Sequence, residues 1–401
     1  MTASVGAAKA CDGPELQLCD SVNLDPETSP MKLRFRLSYR LIVFAFILLA
    51  QCLVAASPPT TEEVQHWEQL MTDTAKALRA NNVAESVRLC DEAMDLAGKF
   101  GPTDTRLSQS QVLRAEVYLW QKKKDLAEQT FKLAIASCEK AVGSNDVALV
   151  HPLSSLANYY YYVAVRYDLV VPLFQRILNI VENASARNNR DIIMWSRNLG
   201  MLYQQMGQYA KGEPMFQQAV AVAEKTDAEW LPHEELTAAD FYRAWGKYDQ
   251  AEALANRALA IREKVLTSAG GVDAQLDLAV TLKNLGATYL AWGKPDKAEA
   301  AYRHALALID TFMSPAQTDL TPFLEGLAEA LRAQGKYDQA EPLYKRALAI
   351  TEKSLGADST ETEAVLEKYA ALLKDMKKPA EAKDLQDRAE KIQKQNTAPP
   401  K

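Results

Sequence analysis

The sequence predicts an all-α solenoid of about eight antiparallel helix-turn-helix repeats, and three observations carry that prediction. The first is a marker at the start of the second helix of each unit. It stands as Ser86, Ala127, Val170, Gly212, Ala251, Ala298, Ala340 and Ala382, at intervals of 39 to 47 residues. The second is a set of aromatic positions locked to that marker. Phe131, Phe174, Phe216, Tyr302 and Tyr344 follow it, and Tyr118, Tyr161, Tyr203, Tyr242 and Tyr289 precede it. The third is the return of alanine one helical face further on, at Ala93, Ala134, Ala219, Ala258, Ala305, Ala347 and Ala389, with Ile177 in the third unit. Small side chains let two helices approach closely, and aromatic rings fill the space left between successive hairpins. A fixed period in this range means stacked units that bury their apolar faces on one another.

Residues 1–30 are polar, without helical period, and read as a disordered stretch upstream of a true start at Met31. Residues 31–56 follow, with Lys32, Arg34, Arg36 and Arg40 ahead of an apolar run that ends in Val54-Ala55-Ala56. Basic residues, a short apolar run and a small-residue end make a secretory signal peptide, with an uncleaved signal anchor as the alternative. Either form sends the repeats out of the cytoplasm, so a periplasmic or secreted protein is expected. Membrane contact is expected only through this segment, if it stays uncleaved. Residues 57–61 form a linker, and Thr60 with Glu63 makes a capping box for the first helix.

The solenoid proper is placed at residues 62–392. Gly101-Pro102 breaks repeat 1 from repeat 2, and Trp230-Leu231-Pro232 opens repeat 5 with proline in its first turn. Gly270-Gly271 accompanies the longest interval, and Trp245 and Trp292 precede equivalent Gly-Lys turns, where each is expected to wedge against the next hairpin. Residues 393–401 are expected as a disordered tail. Cys90 and Cys138 both fall on second helices at different heights, which favours buried free thiols over a disulfide.

The pattern in Leu282-Lys283-Asn284-Leu285-Gly286 with Tyr289, and in Ala340-Glu341-Pro342-Leu343-Tyr344, resembles the tetratricopeptide repeat (TPR). The period near 42 and the long second helix at Ala258–Leu266 look like the kinesin-light-chain subtype. The resemblance covers roughly residues 62–392. Repeat 3 departs from it most, with Val170 and Ile177 where small residues are expected. It implies a right-handed superhelix whose first helices line a concave groove that holds a peptide. By the family's register that groove takes Met194, Arg197 and Met201 from repeat 4, Arg243 from repeat 5, Lys283 from repeat 6, and Glu325, Glu329 and Arg332 from repeat 7. Asn198 and Asn284 match the family's groove asparagines. An amide there would bond both the N–H and the C=O of a bound backbone, the other reading being a solvent-facing polar residue. Tyr159 and Tyr162, three apart, share one helical face as an aromatic platform in the groove, or else pack around Val170 and Ile177.

Catalysis, cofactor and metal are not expected. The four histidines, His66, His151, His233 and His304, fall in different repeats, and His233-Glu234-Glu235 has no second histidine one turn on. No cysteine pair has metal spacing, and the glycines are turn markers rather than a phosphate loop. The carboxylates beside lysines and arginines read as solvated helix faces. A formal net charge of −6 excludes nucleic acid as the main partner. The sequence therefore reads as an exported, non-enzymatic adaptor or scaffold that binds a peptide segment or protein partner. The alternatives are a scaffold self-associating through its end repeats, and an accessory subunit of an envelope enzyme or transporter.

Overall fold

The computed structural model describes residues 58–226, 229–309 and 320–397. The expected signal segment at 31–56 and the stretch before it lie outside the described residues. The described residues form sixteen α-helices in eight hairpins. These are α1 (Thr61–Arg79) with α2 (Val83–Ala97), α3 (Arg106–Trp120) with α4 (Lys124–Val142), α5 (Val150–Asn158) with α6 (Tyr167–Asn183), and α7 (Asn189–Gln205) with α8 (Tyr209–Thr226). Then come α9 (Leu231–Ala244) with α10 (Tyr248–Ala269), α11 (Val272–Ala291) with α12 (Pro295–Ile309), α13 (Thr321–Ala333) with α14 (Tyr337–Leu355), and α15 (Thr360–Asp375) with α16 (Pro379–Thr397). Each helix packs on its hairpin partner and on the next hairpin, so the fold is an all-α solenoid.

Local chemistry places the ends. The Thr60 hydroxyl accepts from the Glu63 N–H at 3.2 Å while the Glu63 carboxylate accepts from the Thr60 N–H at 2.8 Å, a complete capping box. Pro232 sits in the first turn of α9. The long fifth interval lengthens helices rather than a loop: α10 has 22 residues and α11 has 20, joined through Gly270 and Gly271 at positive φ. α16 continues to Thr397, so residues 393–397 of the expected tail are helical, and the rest of it lies outside the described residues. Ala389 and Ile392 are buried against Leu366, which holds this last helix in place.

Every hairpin turns through one left-handed residue five before the marker: Asn81, Lys122, Val165, Gly207, Gly246, Gly293, Gly335 and Lys377, with φ between 53° and 78°. The N–H after this residue closes the first helix by donating five residues back, as Gln208 does to Tyr203 O at 2.8 Å and Lys294 to Tyr289 O at 2.8 Å. Repeat 3 differs. There Arg166 donates six residues back, to Tyr160 O at 2.8 Å, because Tyr159–Val163 form a π-helical turn that inserts one residue. Tyr160 rather than Tyr161 therefore fills the core position of Tyr203, Tyr242 and Tyr289, and all four are buried.

Val165 is the one β-branched residue among these left-handed positions, and its side chain is 61% exposed, so it gains little packing there. A branched Cβ crowds the carbonyl in this region at a cost of about 1–2 kcal/mol, partly offset by glycine's larger unfolded-state entropy. Val165→Gly is expected to raise stability by about 0.5–1 kcal/mol, measured as a higher urea midpoint at unchanged slope. A lower midpoint would show that Val165 is not strained.

Close approach joins the two helices of a hairpin, and aromatic stacking and carboxylates link one hairpin to the next. The Phe216 ring lies so near Gly200, and the Tyr302 ring so near Gly286, that an added Cβ would meet ring carbons at 2.8 and 2.7 Å. Trp245 stacks on Tyr209 and Trp292 on Tyr248, centroids 5.7 and 5.9 Å apart. Each tryptophan thus wedges against the preceding hairpin rather than the next, because the turn carrying it lies beside the start of the previous second helix. The residue after the marker is Glu128, Glu213, Glu252, Glu299 or Glu341 in five repeats, and each accepts from the following repeat. The donors are Tyr160 at 2.8 Å, Lys247 at 3.1 Å, Tyr289 at 2.6 Å, Lys336 at 2.8 Å and Lys378 at 3.1 Å. Hydrogen bonds led by Lys336 pull the Glu299 carboxyl down to about 2. These carboxylates are a ladder between repeats, not the solvated decoration expected from the sequence.

Cys90 and Cys138 are buried free thiols. Burial raises both, Cys90 to about 12, which leaves them inert.

Candidate functional site

A concavity of about 640 Å³ runs across the first helices of repeats 6, 7 and 8. Lys283, Ala287 and Leu290 come from α11, Glu325, Glu329 and Arg332 from α13, and Glu367, Lys368 and Ala371 from α15. Residues three and four apart on each helix share the exposed face, so successive hairpins lay these rows side by side. The floor is Tyr302 of α12, 3% exposed, whose ring passes beneath Gly326. A Cβ at Gly326 would meet Tyr302 Cε1 and Cζ at 2.2 Å, so only glycine leaves room for this ring. The Tyr302 hydroxyl makes no hydrogen bond within the described residues, and burial pushes it up to about 12. It stays a neutral phenol able to donate.

A smaller concavity of about 180 Å³ lies between repeats 3 and 4, lined by Asn158, Tyr161, Tyr162, Phe174, Asn198 and Met201 with Leu202. Tyr162 is 75% exposed and Met201 50%, two large apolar side chains open to solvent beside each other's pocket. Tyr161 supports Tyr162 edge-on at 4.7 Å and packs on Tyr167 at 5.1 Å. Gln205 ties that pair together, accepting from the Tyr161 hydroxyl and donating to Tyr167 Oη at 2.8 Å.

The structure sorts the residues expected in the groove. Tyr162, Asn198 and Met201 meet in the smaller concavity, and Lys283 lines the larger one. The Asn198 and Asn284 side chains are half-buried and make no hydrogen bond within the described residues, although Asn284 stands outside the lining of the larger pocket. Tyr159 is not in the groove. It is buried against Phe131 and Tyr160, with centroids 6.0 and 5.5 Å away. The π turn separates Tyr159 and Tyr162 by a wider angle than an α-helix would, so they share no face. Met194 packs partly against the core of repeats 2 to 4. Arg243 binds Asp240 at 2.8 Å on its own helix.

Arg197 is also engaged inside the protein, against Glu234 of the next repeat at 2.6 Å. Glu234 and its neighbour Glu235 are 1% and 0% exposed, and Arg257 stands 2.9 Å from Glu235 and 3.0 Å from Glu224. Desolvation raises both buried carboxyls, and the two arginines oppose it. Sequence reading missed this pair. Two adjacent acids near the start of a helix read as ordinary solvated residues, and their burial depends on the neighbouring hairpins.

The tetratricopeptide repeat family model matches residues 191–264, 235–310 and 320–395. Among solved structures the chain is similar to BtubC (BKLC) from P. vanneervenii, at 19% identity over 59% of this chain and 94% of that one, with a TM-score of 0.50. It is similar to the apo form of the quorum sensor NprR from B. thuringiensis, at 13% identity over 89% and 95%, also with a TM-score of 0.50. A putative kinesin light chain from Podosopora anserina with nearly identical TPR-like repeats shares 21% identity over 52% and 96%, with a TM-score of 0.45. At these identities the likeness is one of fold. No curated protein matches the sequence.

Proposed function

Because this chain is a tetratricopeptide-repeat protein, we propose that it is a non-enzymatic adaptor that holds a peptide segment of a partner protein along its first helices. The observation that carries this reading is the 640 Å³ concavity built from three successive first helices, with small and apolar residues between its charges. Its size suits a few peptide side chains. The quorum sensor NprR supplies a precedent for the fold in a sensor, and no more than that. In this reading the exposed Tyr162 and Met201 form a second contact further along the same row of helices.

The basic and apolar residues of the 31–56 segment support export of the repeats, and sequencing the amino terminus of protein from cell fractions tests it. A mature chain starting at Ser57 outside the cytoplasm is expected, and a cytoplasmic chain retaining residues 31–56 would overturn export. Self-association through the ends has less support. The outward faces of α1 and α16 are polar, with Glu62, Gln69 and Lys76 exposed on one and Lys383, Asp387 and Lys391 on the other, as in capping repeats.

The adaptor reading is tested by crosslinked purification with the tagged protein, beside Ala287→Trp, which fills the pocket, and Leu133→Glu, which alters the exposed surface of α4. Both variants should keep the helical circular dichroism of the parent. A partner lost only with Ala287→Trp is the expected result. Recovery of the same partners by all three proteins would remove the groove as the functional site.

A further inference from the structure

Six charged side chains surround the larger pocket, and four of them neutralise one another. Lys368 binds Glu325 at 2.5 Å, and Arg332 binds Glu329 at 2.9 Å while also reaching Asp375 at 2.6 Å. Glu329 accepts a further hydrogen bond from the Tyr344 hydroxyl at 2.8 Å. Two charges are left over. Lys283 on α11 and Glu367 on α15 form no ion pair within the described residues, and they stand on opposite walls, two repeats apart. The Lys283 ammonium rests 5.6 Å from the centre of the Phe323 ring, which fixes it at the wall without neutralising it.

Resting on the groove reading above, we infer that the pocket selects a bipolar peptide segment and sets its direction. An acidic side chain lies over Lys283 and a basic one over Glu367, with the unpaired Tyr302 hydroxyl between them as a donor to the segment. The spacing follows from the fold. Neighbouring helices pack about 8–10 Å apart, so two steps span roughly 16–20 Å. An extended chain rises about 3.3 Å per residue, which separates the two charges by about five or six positions. A uniformly acidic or uniformly basic segment would satisfy one wall and oppose the other. Complementary charges at two separated points also forbid the reversed orientation, which is how charge supplies specificity more than raw affinity.

A displayed library of random dodecapeptides, selected on the full-length protein and on Lys283→Glu, Glu367→Lys and the double reversal, tests this. Selected peptides are expected to carry an acidic and a basic residue about five positions apart in one constant order. Each single reversal should weaken such a peptide about fivefold, the size of one exposed ion pair. The double reversal should select peptides with the order of charges inverted. Peptides that lack the charge pair, or that bind the reversed proteins equally, yet are lost with Ala287→Trp, would overturn the bipolar inference and leave the groove reading standing. Peptides unaffected by Ala287→Trp would overturn both.

Discussion

Replacing Arg197 by alanine is expected to destabilise the protein by about 3–5 kcal/mol at neutral pH, the usual result of removing one partner of a buried pair. Glu234 is 1% exposed, its Oε2 has no hydrogen-bond partner among the described residues, and Arg197 at 2.6 Å is the counter-charge that makes its ionised form tolerable. The pH dependence gives the mechanism away. Desolvation raises the Glu234 carboxyl above the ordinary range, and Arg197 opposes that rise. A carboxyl raised on folding holds its proton more tightly in the native state. Its contribution to stability is therefore best in acid and declines as pH climbs from about 4.3, the unfolded value, through the folded one. Without Arg197 that decline becomes steeper and extends further. The loss on Arg197→Ala, from urea unfolding, should be large at pH 7.5 and smaller at pH 4.5. Glu234→Gln in the same background should recover much of it. A loss that is independent of pH would mean that Arg197 acts through packing of its stem instead.

Gly326→Ala should destabilise by about 1–3 kcal/mol, the range for overpacking, even though glycine to alanine inside a helix ordinarily gains up to about 1 kcal/mol. The opposite sign is the point of the experiment. The new methyl would stand 2.2 Å from Tyr302 Cε1 and Cζ, and the other side of that ring already lies against Gly286, where a Cβ would meet it at 2.7 Å. The ring is held between two glycines and has only the pocket to move into. Tyr302→Leu, which removes the colliding atoms, should restore part of the loss in the double variant, and the coupling between the two changes measures the contact. A gain in stability from Gly326→Ala alone would show that the floor yields freely and that Tyr302 does not define it.

The sequence by itself determined the number of hairpins, their order and the turn positions, because small and aromatic residues recur with the helical period and left-handed turn residues fall at one fixed offset from the marker. The register implied by the resemblance put Lys283, Glu325, Glu329 and Arg332 in the groove, and all four line the larger pocket. Where the helical period itself changed, spacing misled. One inserted residue in the π turn of repeat 3 buried Tyr159, exposed Tyr162 and passed the core position from Tyr161 to Tyr160. Nothing in four consecutive tyrosines says which one a π turn will select. The tertiary structure alone decided the partners of the charges, because Arg197 meets Glu234 and Lys336 meets Glu299 only when one hairpin stacks on the next. Periodicity is a property of one helix and can be read along the chain. Pairing and desolvation belong to two hairpins in contact, and the angle at which they stack selects which lysine, tyrosine or arginine reaches which carboxylate.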